Sequence, residues 1–252
     1  MTHQAPSYHD LAGWYDALYE STGKDYVSEA RTVLATLHEV GGAAPASLLD
    51  AACGTGRHLA VFAAEVEAVA GLDVSPEMLA IAADRLGSDV PLYEEDLRAF
   101  DLGRTFDAVT CLFSSIGHVE DEAELDAAVA AMAAHVAPGG VLLIEPWLTP
   151  DRVVPGGIRK LDHAQTEEGV VARAVTSRED GAHLVIEFGW AVATTGGVAT
   201  LEETHRLPLF TRERYLAAVE ATGLTAQWRD DVPGLTTGRG LLLGHRGSGG
   251  TG

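Results

Sequence analysis

Leu48-Leu49-Asp50-Ala51-Ala52-Cys53-Gly54-Thr55-Gly56 reads as a short buried strand that runs into a glycine-rich turn and at once into a helix. Leu59, Phe62, Ala63 and Val66 recur at i, i+3, i+4 and i+7, the spacing of one helical face. Gly54 and Gly56 allow a tight turn and let a ligand lie against bare main chain, where a Cβ would intrude. Asp50 stands near the carboxyl end of the strand, the edge at which open α/β sheets bind ligands. Downstream, Ala68-Val69-Ala70-Gly71-Leu72-Asp73 is a second strand that brings an acid to the same edge. A carboxylate there suits a ribose diol, because its two oxygens accept both hydroxyl protons. Glycine turn and acid-tipped strand together point to a nucleoside cofactor.

The identity of that nucleoside turns on one position. A dinucleotide fingerprint places a third Gly three residues after the second, so that the helix packs close to a pyrophosphate. Here that position is Leu59. The Asp-x-x-Cys-Gly-x-Gly form instead resembles the cofactor loop of class I S-adenosylmethionine (SAM) methyltransferases, whose cofactor has no phosphate to seat at a helix N-terminus. A nicotinamide oxidoreductase is the alternative.

The chain carries 37 acidic against 17 basic residues, a formal charge of −20. That argues against nucleic acid or an anionic membrane as partner, since both need a basic footprint. An anionic small substrate has to be met by a few locally placed Arg or Lys. Cys53 and Cys111 both fall in expected buried strand regions and read as inert core thiols of a reducing compartment. No apolar run approaches ~18 residues and no basic-then-apolar leader opens the chain. The expectation is a soluble cytoplasmic protein.

Read in order, residues 1–40 form an N-terminal helical lid, 41–157 a Rossmann-like core, 158–210 an antiparallel β insertion, and 211–246 a helix and strands that complete the core; 247–252 is a low-complexity tail. Residues 1–7 are expected to be disordered. One helix covers Asp10 to Tyr19 and a second starts near Asp25. Their aromatics Trp14, Tyr15, Tyr19 and Tyr26 are either core or the cover over a sulfonium cofactor, which tyrosine faces attract. Ser75-Pro76-Glu77 starts a helix whose buried face is Leu79, Ala82, Ala83 and Leu86. Pro91 to Tyr93 is a third strand, ending in Glu94-Glu95-Asp96-Leu97: either a solvated loop or an acid for an adenine amino group with a side chain over the ring. Phe106 to Phe113 is a fourth, apolar strand opening into Ser114-Ser115-Ile116-Gly117-His118. A helix from Glu122 to His135, a Pro138-Gly139-Gly140 turn and a strand from Val141 to Glu145 follow. In the insertion, residues 170–175, 184–188 and 200–207 read as strands covering the open end of the main sheet. Thr211 caps a helix stopped by Gly223, and Leu224–Trp228 and Leu241–His245 close the fold. The fold class is therefore α/β: a Rossmann-like sheet with helices on both faces plus an antiparallel insertion. No metal-ligand spacing occurs.

Several stretches together resemble one branch of the class I SAM methyltransferases, the N,N-dimethyltransferases acting on nucleotide-linked 3-amino-3,6-dideoxyhexoses in desosamine and mycaminose biosynthesis. They are Gly23-Lys24-Asp25-Tyr26, Leu48 to Gly56, Asp73 to Leu79, Thr110 to His118, Glu145-Pro146-Trp147, Thr204 to Thr211 and Gly238-Arg239-Gly240-Leu241. The resemblance implies SAM held by Tyr15, Tyr26, Asp50, Ala52, Gly54, Gly56, Asp73, Val74, Met78, Asp96, Leu97 and Leu112. It implies an amino-sugar pocket of Tyr8, Ser114, Ser115, His118, Trp147, Ser177 and Arg178, with Arg239 on the diphosphate of a dTDP-linked sugar. The chain departs from the family at Leu148, where a second Trp is expected, at Leu242, where Phe is expected, and over 174–178; these positions are expected to touch sugar or nucleotide.

Methyl transfer is an in-line displacement at an activated sulfonium carbon, so the protein mainly supplies alignment and a dry site. The attacking amine has to be neutral, and an alkylammonium is mostly protonated near pH 7. His118 is a candidate to take that proton, with Tyr8 as orienter; the other reading has His118 only positioning the sugar. Arg239 is a phosphate grip or a surface charge, and Trp147 a wall for the substrate or core. A methyltransferase for another small acceptor and a non-catalytic SAM-fold binding protein are the rivals. The assembly state, a homodimer included, stays open.

Overall fold

A computed structural model describes residues 11–230, 232–235 and 238–248. In chain order its helices are α1 (Ala12–Ser21), α2 (Tyr26–Gly41), α3 (Arg57–Glu65), α4 (Pro76–Leu86), α5 (Glu122–Ala134) and α6 (Arg212–Glu220). Its strands are β1 (Ser47–Ala51), β2 (Ala68–Asp73), β3 (Leu92–Glu94), β4 (Phe106–Cys111), β5 (Val136–Ile144), β6 (Arg159–Gln165), β7 (Gly169–Asp180), β8 (His183–Thr194), β9 (Gly197–Pro208), β10 (Thr225–Arg229) and β11 (Leu241–His245). Capping chemistry sets the helix starts: Asp25 accepts from Ser28 N–H, Ser75 from Met78, Asp121 from Glu124 and Thr211 from Arg214.

The main sheet runs β10-β11-β5-β4-β1-β2-β3. β1 to β5 are parallel, and β11 is antiparallel to both β5 and β10. The strand order reverses between β1 and β4, and that crevice is where open sheets take ligands. On one face Leu48, Ala108 and Leu143 pack against Val33 and Leu37 of α2 and Leu59 and Phe62 of α3. On the other, Leu49, Val109 and Leu142 meet Leu125 and Met132 of α5 and Tyr215 of α6. Among the described residues no helix is long and apolar enough to cross a membrane.

The insertion is a four-stranded antiparallel meander, β6-β7-β8-β9. β6 escaped the sequence pattern because it is an edge strand with mostly exposed side chains and no apolar alternation. One face of this sheet, hereafter the inner face, carries Val171, Trp190 and Val192, which pack on Leu11, Trp14 and Leu18. α1 thus rests on the insertion, whereas α2 belongs to the main sheet's own core.

Other expectations shift locally. Ala63 and Ala83 are exposed, and the buried helix faces use His58 and Met78 instead. Regular pairing in β4 stops at Cys111, because Phe113 and Ser114 turn left-handed at φ 57° and 61°. Pro138-Gly139-Gly140 is an irregular stretch within β5 rather than a turn ahead of it. Leu242 is fully buried between Ile144 and Trp228 in the main core, so it touches neither sugar nor nucleotide. Tyr8, residues 1–7 and residues 249–252 lie outside the described residues.

Candidate active site

The carboxyl ends of β1, β2 and β4 lead into the candidate site, where α1 meets β6 and β7 of the insertion and a 3-10 turn after β4 meets β9. All three described non-glycine residues with positive φ lie here: Ala52 at 61°, Phe113 and Ser114. Such backbone persists only where its surroundings over-determine it, and it gathers at ligand sites. Gly54, at φ 56°, has no atom within 4 Å of where a Cβ would stand, so its bare main chain faces open space. Gly56 makes the expected tight turn at φ 74°, but what its missing Cβ admits is a neighbouring helix. A Cβ there would meet Ala82 Cβ at 3.1 Å and Leu86 Cδ1 at 3.2 Å, so its bareness lets α4 close on the loop.

Asp73 Oδ2 accepts the Gly54 N–H at 2.8 Å and Oδ1 the Ser75 N–H at 2.9 Å. Each oxygen keeps a lone pair for one hydroxyl of a diol. Burial raises the Asp73 pKa, and these backbone bonds oppose the shift. Next to it Val74 leaves an apolar side chain 67% exposed at the strand end. Leu97 is half-buried, while Met78 and Leu112 are buried beneath the crevice. Asp96 is held by Arg98 through Nε at 2.9 Å and Nη2 at 2.6 Å, which keeps its carboxyl below the usual range. Asp50 is fully buried, accepts from Thr110 Oγ1 at 2.8 Å, and is pushed up to about 6 by desolvation. It braces β1 against β4 rather than lining the crevice. Tyr15 meets Tyr19 and Phe113 ring to ring at 4.6 and 6.1 Å. The Tyr26 hydroxyl is buried with no hydrogen-bond partner among the described residues. An open glycine cradle, a two-oxygen acid, an exposed apolar side chain and an orphaned hydroxyl together fit an amino-acid-bearing nucleoside.

Two buried charge clusters around this half were not legible in the sequence. Asp16 on α1 accepts from Thr55 Oγ1 at 2.7 Å and pairs with Arg57 Nε at 3.0 Å and Arg85 Nη2 at 2.6 Å, tying α1 to the glycine loop. Lys24 Nζ lies 2.5 Å from Glu29 and 4.1 Å from the centroid of the Phe113 ring, and His58 Nε2 is 3.1 Å from the same Glu29 oxygen.

The second half gathers Ser114, Glu145, Trp147 and Arg239. Arg239 Nη1 donates to Ser114 Oγ at 2.6 Å, and its guanidinium lies 4.6 Å from the Trp147 ring centroid. Ser114 Oγ in turn donates to Pro146 O at 2.8 Å, and Glu145 Oε2 accepts the Phe113 N–H at 2.7 Å. Arg239 Nε, Trp147 Nε1 and Glu145 Oε1 are all buried without a hydrogen-bond partner among the described residues. Unsatisfied buried groups are rare in proteins, and three of them sit together in this cluster. Burial pulls the Arg239 pKa down, opposed by Glu145, Tyr19 and Tyr215. The cation is short of negative charge.

Ser115 Oγ donates locally to Leu112 O at 3.0 Å in the 3-10 turn Ser115–His118. Gly117 is bare because a Cβ would stand 2.7 Å from Trp147 Cβ, so the turn carrying His118 lies directly against that indole. Ser177 and Arg178 fall on opposite faces of β7, as the strand period demands. Ser177 is buried and accepts from Ile158 N–H at 3.0 Å, whereas Arg178 is exposed on the outer face, away from the cleft. The inner-face cation is instead Arg173, which donates to Tyr19 Oη and Asp162 Oδ2, both at 2.9 Å, among the rings of Tyr19, Phe188 and Trp190.

Residues 48–140 match a family described as a methyltransferase domain. The chain is 43% identical over 242 residues to the dTDP-3-amino-3,6-dideoxy-alpha-D-glucopyranose N,N-dimethyltransferase of Streptomyces fradiae, covering 95% of this chain and 92% of that one. The chain belongs to the SAM-dependent amino-sugar N,N-dimethyltransferases. Two solved structures share the architecture. The crystal structure of Streptomyces venezuelae DesVI matches with a TM-score of 0.86 at 39% identity, covering 94% of this chain and 98% of that one. SAM-bound CalS10, an amino pentose methyltransferase from Micromonospora echinaspora, matches with a TM-score of 0.81 at 40% identity over 97% and 100%.

Within this dimethyltransferase, His118 sits in the cleft wall with an open surface, yet the surrounding protein and His205 hold its pKa below the usual histidine value. A lowered pKa keeps the neutral, proton-accepting form populated to lower pH. The acid limb of kcat/KM is therefore expected below about 6.5 and is lost in His118→Ala. A pH-rate profile with its acid limb unchanged in that variant removes His118 as base.

Proposed function

We propose that the protein transfers methyl groups from SAM to the amino group of a dTDP-linked amino deoxysugar and adds two, in natural-product biosynthesis. The observation that carries the substrate class is Arg239, a half-buried arginine stacked on Trp147 whose Nε has no hydrogen-bond partner among the described residues and whose bonded neighbour is a neutral hydroxyl. In a chain of charge −20, such a cation beside the cleft is the feature a diphosphate needs.

Bound SAM supplies an electrophilic methyl carbon. The chain's own residues do the rest. Asp73 holds the ribose, Gly54 offers bare backbone, and Tyr15, Tyr19 and Phe113 wall the sulfonium side and keep water out. Ser114, Trp147 and Arg239 set the sugar nucleotide so that its amine faces the methyl carbon, and His118 accepts the amine proton. Tyr8 completes this proposal as orienter. A cytoplasmic setting without nucleic acid or membrane partners belongs to the same reading, supported by free Cys53 and Cys111 and the net charge.

The test is a mass-spectrometric screen of dTDP-linked 3-amino and 4-amino sugars with SAM. The expected result is a one-methyl and then a two-methyl product from at least one sugar. Protein that binds SAM yet methylates none of them overturns the substrate assignment.

A further inference from the structure

We infer that Asp16 is a positioning residue for SAM, latching α1 to the glycine loop so that the loop and the aromatic wall on α1 keep one arrangement. This rests on the reading above that Gly54 and the rings of Tyr15, Tyr19 and Phe113 surround SAM beyond its ribose. It is independent of which sugar is methylated, and that reading gives Asp16, Thr55 and Arg85 no role.

Helical spacing divides α1 into three faces. Leu11, Trp14 and Leu18 are buried against Val171, Trp190 and Val192 of the insertion. Tyr15 and Tyr19, one turn apart, meet at 4.6 Å, and Tyr19 stands edge-on to Phe113 at 4.8 Å and 85°. Asp16 and Glu20, also one turn apart, both pair with Arg57, the first residue of α3. The helix that carries the aromatic wall is thus joined to the glycine loop by charged side chains.

Asp16 makes that joint specific. Its Oδ1 accepts from Thr55 Oγ1 at 2.7 Å, and its Oδ2 accepts from Arg85 Nη2 at 2.6 Å. Arg57 Nε lies 3.0 Å from Oδ2, close enough to pair by charge although its N–H is not aimed as a hydrogen bond. Arg85 Nη1 in turn donates to the Thr55 carbonyl, so Asp16, Thr55 and Arg85 close a ring of contacts. Asp16 and Thr55 are both buried, which shields these charge-assisted bonds from water. Thr55 stands between Gly54 and Gly56, which have no side chain by which the loop could be held. The loop is therefore gripped at Thr55, by the hydroxyl from α1 and by the carbonyl from α4. Because Asp16 adjoins Tyr15 on α1, one carboxylate sets the loop and the wall together.

5′-Methylthioadenosine separates this role from a general structural one. It keeps the adenine and ribose of SAM but lacks the amino-acid end and the sulfonium charge. Asp73 serves both ligands, whereas the loop and the aromatic wall serve SAM. Asp16→Ala is expected to weaken SAM binding by about ten-fold or more in calorimetry, with methylthioadenosine bound nearly as by wild type. Asp16→Asn keeps an acceptor for Thr55 but not the charge that Arg85 meets, and falls between. Arg85→Met removes the second grip on Thr55, lowers the same preference, and serves if the Asp16 variants do not fold. Combined with Asp16→Ala it costs less than the product of the two single losses, because both act on Thr55. Folded variants with wild-type SAM affinity, or an equal loss for SAM and methylthioadenosine, overturn the inference. A wild-type protein with no preference for SAM over methylthioadenosine overturns the parent reading and this one with it; a wild-type preference that survives both Asp16→Ala and Arg85→Met overturns this one alone.

Discussion

Asp73→Ala weakens SAM binding by about 1.5–3 kcal/mol, the range for losing a charged hydrogen-bond partner, which calorimetry reads as roughly a ten- to hundred-fold rise in Kd. The carboxylate ends β2 at the crevice, and its two oxygens already hold the Gly54 and Ser75 amides. The substitution therefore removes both a ribose acceptor and the brace of the glycine loop. The variant also leaves the Gly54 and Ser75 amides without their acceptor, so its folded state is checked by circular dichroism before SAM is titrated. Asp73→Asn, which keeps one acceptor oxygen, is expected to fall between wild type and Ala. A folded Asp73→Ala protein with unchanged SAM affinity removes Asp73 from the ribose role.

What could be read from the sequence was local. The run from Leu48 to Gly56 declares strand, turn and helix within one short stretch. Ser75-Pro76 declares a helix start by the chemistry of three adjacent residues, and the Ser75 hydroxyl does accept from Met78 N–H. The pocket of Ser114, His118, Trp147 and Arg239 was reached through family resemblance, not through spacing. Arg239 and Ser114 meet across 125 residues, and no periodicity signals that pairing. Arg173 and Tyr19 meet across 154 residues. In the strand pattern Arg173, Glu203 and His205 look like members of a solvated polar face. They come under cover only because α1 and the 3-10 turn lie against the inner face of the insertion, a tertiary fact. Strand phase also explains the error at Arg178: it is adjacent to Ser177 in sequence and on the opposite side of the sheet in space. Leu242 fails for a related reason. β11 lies between β5 and β10, so its side chains fill the core on both faces of the sheet.

Arg239→Ala is expected to raise KM for a dTDP-linked amino sugar by on the order of ten-fold or more, with a smaller effect on kcat at saturation. A protein with 20 excess negative charges repels a diphosphate at long range, so affinity has to come from a cation placed inside the cleft. In the proposed reading Arg239 is that cation, fixed by Ser114 Oγ and by the Trp147 ring rather than by a carboxylate. Burial pulls its pKa down, so an incoming dianion removes an electrostatic deficit as well as forming hydrogen bonds. The Nε proton is ready for one of them. The diphosphate is remote from the reacting nitrogen, so the interaction is the same in ground and transition states, which is why KM carries the loss. Arg239→Lys keeps the charge but not the fork and is expected to recover only part of the affinity. SAM binding stays normal in both variants, because SAM has no phosphate. Unchanged substrate affinity, or a fall in SAM affinity instead, would show that Arg239 does not hold the diphosphate, and the nucleotide-sugar assignment would lose its main electrostatic support.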